Sequence, residues 1–460
     1  MCGIFGVRGL ADAASAVQLG LYSLQHRGQE SAGIVAVDET GTARVHRAMG
    51  LVSDSFSPSV LAQLKGGLAL GHTRYSTAGS STIENAQPVM VRFRDGHIAL
   101  AHNGNLVNAT EIRHELEEQG SIFSSSMDSE VLVHRIARSH CPRPEEKLAE
   151  ALQGVEGAYC LIVAMGHTLI AARDPRGWRP LVMGQVDGAT VFASETCALD
   201  IVGASYVRDV EPGEIVAVDG DGTRTLFPLP EQEPRRCVFE YVYFARPDSK
   251  VFGGSVDRAR RALGRRLGRE APAPGAELVF SVPDSANAAA LGYAEVTHLP
   301  VELALIRNHY VGRTFIQPSQ AGRDAKVKVK YNAVREVLHG KSVVMVDDSI
   351  VRGTTTRGLV ALVRAAGARE VHMRVASAPI TGPCYYGIDT PSREELIAAN
   401  LSVDEIARHI GVDSLAYLSL EGMLEASPGG PDGFCHACFS GDYPTPPPTD
   451  PNKLRFGCGC

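Results

Sequence analysis

The second residue of the chain is a cysteine, in the opening stretch MCGIFG. With the methionine removed, Cys2 carries a free α-amine, whose ordinary pKa of about 7.7–8.0 leaves part of it neutral near pH 7. A neutral amine can take the proton of the thiol beside it, and the thiolate then attacks a carbonyl. An internal cysteine would need a histidine for that step. Gly3 keeps the approach to the sulfur open. The competing readings are a lipid anchor, which needs an apolar leader ahead of the cysteine, and an accident of position. Only Met1 stands before Cys2, so removal of that one residue is the expected processing.

A second constellation is VVMVDDSIVRGTTT, residues 343–356. An apolar strand ends in two adjacent carboxylates, Asp347 and Asp348, and after a turn Gly353 and three threonines open a helix. A helix start offers unpaired N–H groups, hydroxyls and the positive end of the dipole, which suit a phosphate monoester. Carboxylates repel a bare phosphate, so the pair implies sugar hydroxyls, or a hard cation carried by a polyphosphate, beside it. The bland alternative is a capped helix after an acidic turn. Gly340-Lys341-Ser342 looks like half of a phosphate-binding loop, but position 335 is Arg and the segment runs into a strand, not a helix.

The third is Cys435-His436-Ala437-Cys438, a C-x₂-C pair among ten cysteines. In a reducing compartment such a pair points to metal, with redox chemistry as the alternative. Two ligands alone leave the site incomplete.

The elements that must hold these groups divide the chain in two. At 460 residues it is long for one core. Up to about Pro234, short β-type runs (GIVAVDET, GLALGHTRYS, HIALAHNGNL, AYCLIVAMG, TLIAARD, EIVAVDG) surround helical stretches near 12–26 and 128–139. Without regular strand–helix alternation, this predicts an α+β layered domain with largely antiparallel sheets. After PLPEQEPRR, the apolar strands ELVFSVPDS, KSVVMVDDS and EVHMRVAS alternate with the helices VDRARRALGRRLGRE and TTRGLVALVRAAG, which Gly367 is placed to end. That alternation reads as a parallel α/β sheet. SPGGPDG and YPTPPPTDPNKLRFGCGC read as a wrapped or disordered tail.

Composition excludes several classes. A hydrophobic fraction of 44% and a charged fraction of 21% are ordinary for a globular protein. The net charge of −7, with Lys and Arg dispersed, leaves no footprint for nucleic acid. No apolar run reaches the ~18–20 residues of a membrane span, and no secretory signal is seen. A cytoplasmic location is expected, where a disulfide framework is not.

Residues 343–356 resemble the phosphoribosyl pyrophosphate (PRPP) motif of type I phosphoribosyltransferases. Together with MCGIFG, the chain from residue 1 to about 445 resembles the glutamine PRPP amidotransferases. The resemblance implies a glutaminase of the N-terminal-nucleophile type (αββα layers) at 2–234, a phosphoribosyltransferase domain at 235–425, and a C-terminal segment, 426–460, carrying cluster cysteines. It implies that Cys2 releases ammonia from glutamine through a γ-glutamyl thioester. Ammonia then crosses a protected passage and displaces pyrophosphate from PRPP, giving 5-phosphoribosylamine in the first committed step of purine synthesis.

Site residues carry over one by one. Arg74 in GHTRYSTAG matches the arginine that grips the glutamine α-carboxylate, and Asp128 in SSSMDSE the acid that receives its α-ammonium. Asn103 and Gly104 in AHNGNL match oxyanion-hole donors, the loss of one of which typically costs roughly 10²–10³ in rate. Arg27 in LQHRGQES is a further glutamine-site residue, linking the site to its lid. For PRPP the residues are Asp347, Asp348, Ser349, Arg352, Gly353, Thr354, Thr355 and Thr356, with Arg307, Arg313 and Lys330 as phosphate contacts. Mg²⁺ is expected at Ser285, Asp347 and Asp348. A mobile loop maps to 308–320, where His309 departs from the longer basic residue expected. Cys237, Cys384, Cys435 and Cys438 match the ligands of a [4Fe–4S] cluster in one branch of the family, which favours the cluster over zinc. Cys141, Cys160 and Cys197 read as core or surface thiols, Cys458 and Cys460 as tail thiols. Purine-nucleotide feedback inhibitors and a homotetramer are also implied.

Two rival readings fit less of the sequence. Glucosamine-6-phosphate synthase and asparagine synthetase share the glutaminase half but not VVMVDDSIVRGTTT. A PRPP-sensing regulator would have no use for Cys2, Arg74, Asn103, Gly104 and Asp128, and there is no basic DNA-binding module.

Overall fold

A computed structural model describes residues 1–76, 79–308 and 329–448. In the first half, two antiparallel sheets face each other. One has seven strands, in the order Ser205–Asp209, Val182–Val186, Ala189–Ala193, Gly3–Arg8, Leu68–Arg74, Ser31–Val37, Ala43–Met49. The other has six, in the order Gly222–Leu226, Ile215–Asp219, Thr168–Arg173, Gly157–Met165, Gly96–Leu106, Val89–Phe93. Ile4, Val35, Leu70, Ala101, Ile162 and Ala171 fill the space between them. Their β-branched and small side chains suit the shallow gap between facing sheets.

Helices close both outer faces. Ala13–Ser23 starts at Asp12, whose Oδ1 accepts the Ser15 N–H at 3.4 Å, and lays Val17 and Leu21 on the first sheet. Glu130–Arg138 lays Val131, Leu132 and Ile136 on the second. The result is the αββα layering expected from the sequence. The strand Gly3–Arg8 lies inside its sheet, with Gly3 opposite Thr73, so the residue beside the chain start is held at the sheet end that also carries Arg74.

The second half is built on a four-stranded parallel sheet in the order Leu278–Ser281, Ser342–Asp347, Glu370–Val375, Ser414–Tyr417. Ser342–Asp347 is buried along its whole length, as a strand covered on both faces must be. The helices Val256–Glu270 and Asn287–Thr297 pack on each other and on this sheet, and Thr354–Ala365 lies over it with Leu359, Val360 and Val363 inward. Arg236–Cys237 pairs in parallel with Phe434–Cys435, and Phe434 and Phe439 enter the core of the second half. The C-terminal segment is thereby tied to the start of this half. Among the described residues no helix is long and apolar enough to cross a membrane.

Candidate active site

Cys2 is buried at the junction of the two halves, 6% exposed. Its main-chain N–H donates to Asn103 Oδ1 at 3.1 Å, and its thiol lies 3.5 Å from the Tyr75 carbonyl oxygen. Asn103 sits on Gly96–Leu106, fully buried, and its Nδ2 finds no hydrogen-bond partner among the described residues. Burying a donor without a partner is costly, so an unpaired amide beside a thiol marks a place for an incoming acceptor. Gly104 follows on the same strand.

Arg74 ends the strand Leu68–Arg74, in the facing sheet. It gives Nη1 to the Ser80 carbonyl at 2.9 Å and lies 3.8 Å from Glu30 Oε2. Burial lowers its pKa, while Cys2, Glu30 and Asp128 pull the other way. Asp128 is fixed by the N–H of Leu106 at 2.9 Å and by that of Ser129 at 2.8 Å. The structure thus brings Cys2, Arg74, Asn103, Gly104 and Asp128 to one place, with a cation and an anion within electrostatic reach of one another.

Besides the expected Arg27 stand neighbours that the sequence did not reveal: His102, Glu195, Glu240 and Arg179. His102 Nδ1 is 3.6 Å from Asp128 Oδ1; burial alone would lower the imidazole pKa, yet the Asp128 charge and hydrogen bond raise it. Arg27 is buried and gives Nε to the Cys2 carbonyl at 3.0 Å. Its two other nitrogens reach Glu240 Oε2 and Oε1, at 3.0 and 2.8 Å, and Nη1 also reaches Glu195. Burial alone would raise the Glu195 carboxyl, but His26 and Arg27 hold it well below the usual range. Arg179 stands 3.6 Å from Glu240. Glu195 lies 168 positions from Arg27 and Glu240 213, beyond any local motif. The α-amine of Met1 is buried beside these groups; desolvation chiefly, with Arg179 and Arg27, pushes its pKa down to about 6.

The second cluster lies at the end of Ser342–Asp347. Asp347 and Asp348 are 9% and 5% exposed, and Asp347 Oδ1 accepts the Asp348 N–H at 2.9 Å. Burial raises both carboxyl pKa values, and the Asp348 charge adds to the effect on Asp347. Ser285 and Ser349 hydrogen-bond to Asp348. Two buried carboxyls side by side with hydroxyls are a donor set for a hard divalent cation, which would relieve their repulsion. Gly353 (φ +72°) turns the chain into Thr354–Ala365, whose N-terminus carries no side-chain cap; Thr354 and Thr355 are exposed there and Thr356 is buried. Arg307 gives Nη1 to Asp284 Oδ2 at 2.7 Å, Lys330 stacks over Tyr331, and Arg352 pairs with Glu395 at the surface. Arg313, His309, and Cys458 and Cys460 lie outside the described residues.

Cys237 and Cys435 are opposite each other in the short parallel pair, and Cys384 and Cys438 are close enough to act on both electrostatically. Burial, then the neighbouring sulfurs, raises the Cys435 thiol to about 12 and the Cys438 thiol well above its ordinary value. Cys384 Sγ accepts the Tyr386 N–H at 3.4 Å. Among the described residues no three His, Cys, Asp or Glu side chains are close enough to hold a single metal ion. Four thiols from three segments nonetheless lie within electrostatic reach of one another.

Comparison with known proteins shows the family. A family model described as a glutamine amidotransferase domain matches residues 72–200. Over 457 residues, 99% of this chain and 81% of the relative, the sequence is 51% identical to amidophosphoribosyltransferase 2, chloroplastic, of Arabidopsis thaliana. It is 50% identical to the Bacillus subtilis amidophosphoribosyltransferase, over 96% of this chain and 94% of the relative. The chain belongs to the amidophosphoribosyltransferase family. The solved B. subtilis glutamine PRPP amidotransferase, complexed with ADP and GMP, superposes with a TM-score of 0.91 at 48% identity, over 97% of this chain and 98% of that one. A structure described as the allosteric regulatory enzyme of purine biosynthesis gives 0.93 at 48% identity, over 98% of each chain. The amidophosphoribosyltransferase reaction is the glutamine-dependent formation of 5-phosphoribosylamine from PRPP, with release of pyrophosphate and glutamate. It is the first committed step of purine biosynthesis.

Proposed function

We propose that Cys2, freed of Met1, is the nucleophile of the glutamine half-reaction and that its own α-amine is the base. The amine takes the thiol proton, and the thiolate adds to the glutamine side-chain carbonyl. Asn103 Nδ2 and the Gly104 N–H receive the developing oxyanion, Arg74 holds the α-carboxylate and Asp128 the α-ammonium. Collapse expels ammonia, leaving a γ-glutamyl thioester that water opens to glutamate. The buried amide of Asn103, unpartnered on Nδ2 while Oδ1 fixes the nucleophile's main chain, carries this reading. Arg27 holds the Cys2 carbonyl in place.

Ammonia passes inside the protein to the parallel-sheet half, where Asp347 and Asp348 hold the ribose side of PRPP. Ser349, Gly353, Thr354, Thr355 and Thr356 cradle its 5-phosphate at the helix start, with Arg352, Arg307, Arg313 and Lys330 as further contacts. Ser285, Asp347 and Asp348 would hold Mg²⁺, which neutralises pyrophosphate charge as that group departs. Cys237, Cys384, Cys435 and Cys438 would hold a [4Fe–4S] cluster, in a structural or oxygen-sensing role rather than in electron transfer. We read 2–234 as the glutaminase, 235–425 as the transferase and 426–460 as a cluster-carrying segment, in a cytoplasmic homotetramer under purine-nucleotide feedback.

The test is Cys2→Ala. It should abolish pyrophosphate release with glutamine and leave release with high ammonia intact; retained use of glutamine would overturn the assignment.

A further inference from the structure

The turn Cys384–Gly387 belongs to the transferase half yet lies against the strand that carries Asn103 and Gly104. Asn105 Nδ2, on the next residue of that strand, donates to the Tyr385 carbonyl at 2.9 Å, and Asn105 is 6% exposed. Arg179 Nε donates to the Tyr386 carbonyl at 2.9 Å, and the Tyr386 ring stacks on Trp178 with centroids 4.5 Å apart and planes at 15°. Gly387, at φ +104°, packs on the main chain of Gly104. A Cβ there would stand 2.9 Å from the Gly104 carbonyl carbon and 3.0 Å from its Cα. Those distances are well inside ordinary contact, and what they meet is backbone, which cannot swing aside. On its other flank Gly104 is equally confined, since a Cβ on it would lie 1.9 Å from the Ala158 carbonyl oxygen.

We propose that Tyr385–Gly387 is a positioning element of the glutamine site: it clamps Gly104 and Asn105 from the transferase side and so fixes the donors beside Cys2. The inference rests on the reading of Asn103 and Gly104 as those donors. A main-chain N–H is aimed by the dihedrals of the residues around it, and Gly104 is held between the neighbouring strand and this turn. Displacing a catalytic donor by about 1 Å can cost on the order of 10² in rate. None of these three residues is among the groups assigned to the substrate. The turn begins at Cys384, whose sulfur accepts the Tyr386 N–H, so whatever holds that sulfur also holds the clamp.

The decisive comparison is Gly387→Ala against Gly430→Ala, assayed in the full-length enzyme. Both glycines have positive φ, +104° and +87°, so both variants suffer backbone strain; nothing lies within 4 Å of a Cβ at 430. Gly430→Ala should lose thermal stability without changing the ratio of glutamine- to ammonia-supported rates. Gly387→Ala should lower glutamine-supported kcat by about tenfold or more, with KM for glutamine within about threefold and ammonia-supported turnover within about twofold. Asn105→Ala, which removes the bond to Tyr385 without strain, should shift the same ratio in the same direction, and it decides the matter should Gly387→Ala fail to fold. Asn103→Ala and Cys2→Ala serve as references. If these two abolish glutamine use while Gly387→Ala and Asn105→Ala leave the ratio unchanged, or lower both rates together, the clamp is refuted and the site stands. If the references retain glutamine use, it is the site assignment that falls.

Discussion

Replacing Glu240 by leucine tests the charge network that joins the halves. Arg27 and Arg179 face Glu195 and Glu240 with every one of these side chains fully buried, two positive groups against two negative. Glu240→Leu leaves one positive charge uncompensated and removes hydrogen bonds of 2.8 and 3.0 Å to Arg27. Charged hydrogen bonds are worth about 1.5–3 kcal/mol each, so two give about 3–6. Breaking a buried pair from one side costs about 3–5 kcal/mol. The two routes meet near 4 kcal/mol, with no discount for solvent because the groups see none. Urea unfolding followed by circular dichroism measures the loss. The double variant Glu240→Leu/Arg27→Met removes one charge of each sign and leaves Glu195 paired with His26. It should fall short of the sum of the single losses by about 2 kcal/mol. A single-variant loss under about 1 kcal/mol, or strict additivity, would refute the reasoning.

Three further outcomes are expected. Burial and guanidinium charges push the Met1 amine down to about 6, and the Cys2 amine, freed one residue further on at a buried position and required to be neutral, is expected to be lowered in the same direction. Glutamine-supported kcat/KM should therefore fall on acidification with a midpoint nearer pH 6 than the ~8 of a free amine; a midpoint near 8 contradicts this. Asp347→Asn should raise KM for PRPP at least tenfold, to the same extent with glutamine or ammonia, and steady-state kinetics with an unchanged KM would count against the site. Anaerobically purified protein should contain about four irons per chain and absorb as a brown chromophore. Cys384→Ser and Cys237→Ser should lose iron as fully as Cys435→Ser, whereas loss confined to Cys435 and Cys438 variants, or zinc instead of iron, would defeat the cluster.

What was legible in the sequence was local. Cys2 behind the start methionine and the DDSIVRGTTT turn declare themselves within a few residues, because a strand-to-helix turn places its neighbours by geometry alone, whereas Asn103, Gly104 and Asp128 are bland singly and follow from the resemblance. The helices expected near 12–26 and 128–139 form at Ala13–Ser23 and Glu130–Arg138. The rest depended on distant pairing. Glu240 meets Arg27 only through the packing of the two halves, His102 reads as one more strand residue, and the turn at 384–387 has no local chemistry of its own. Ser414–Tyr417 is short, four residues all half-buried, and so carries too little apolar pattern to mark a strand. Arg27 was legible as a glutamine-site residue, but the carboxylates that hold it were not.

The claim on which the account rests is tested most directly by mass spectrometry of the active enzyme after reaction with an electrophilic glutamine analogue. One adduct is predicted, on the sulfur of Cys2, in a terminal peptide that begins at Cys2 with an unblocked α-amine, and its yield should track the loss of glutamine-supported activity. Fully active protein that retains Met1, or an adduct on any other residue, would contradict it.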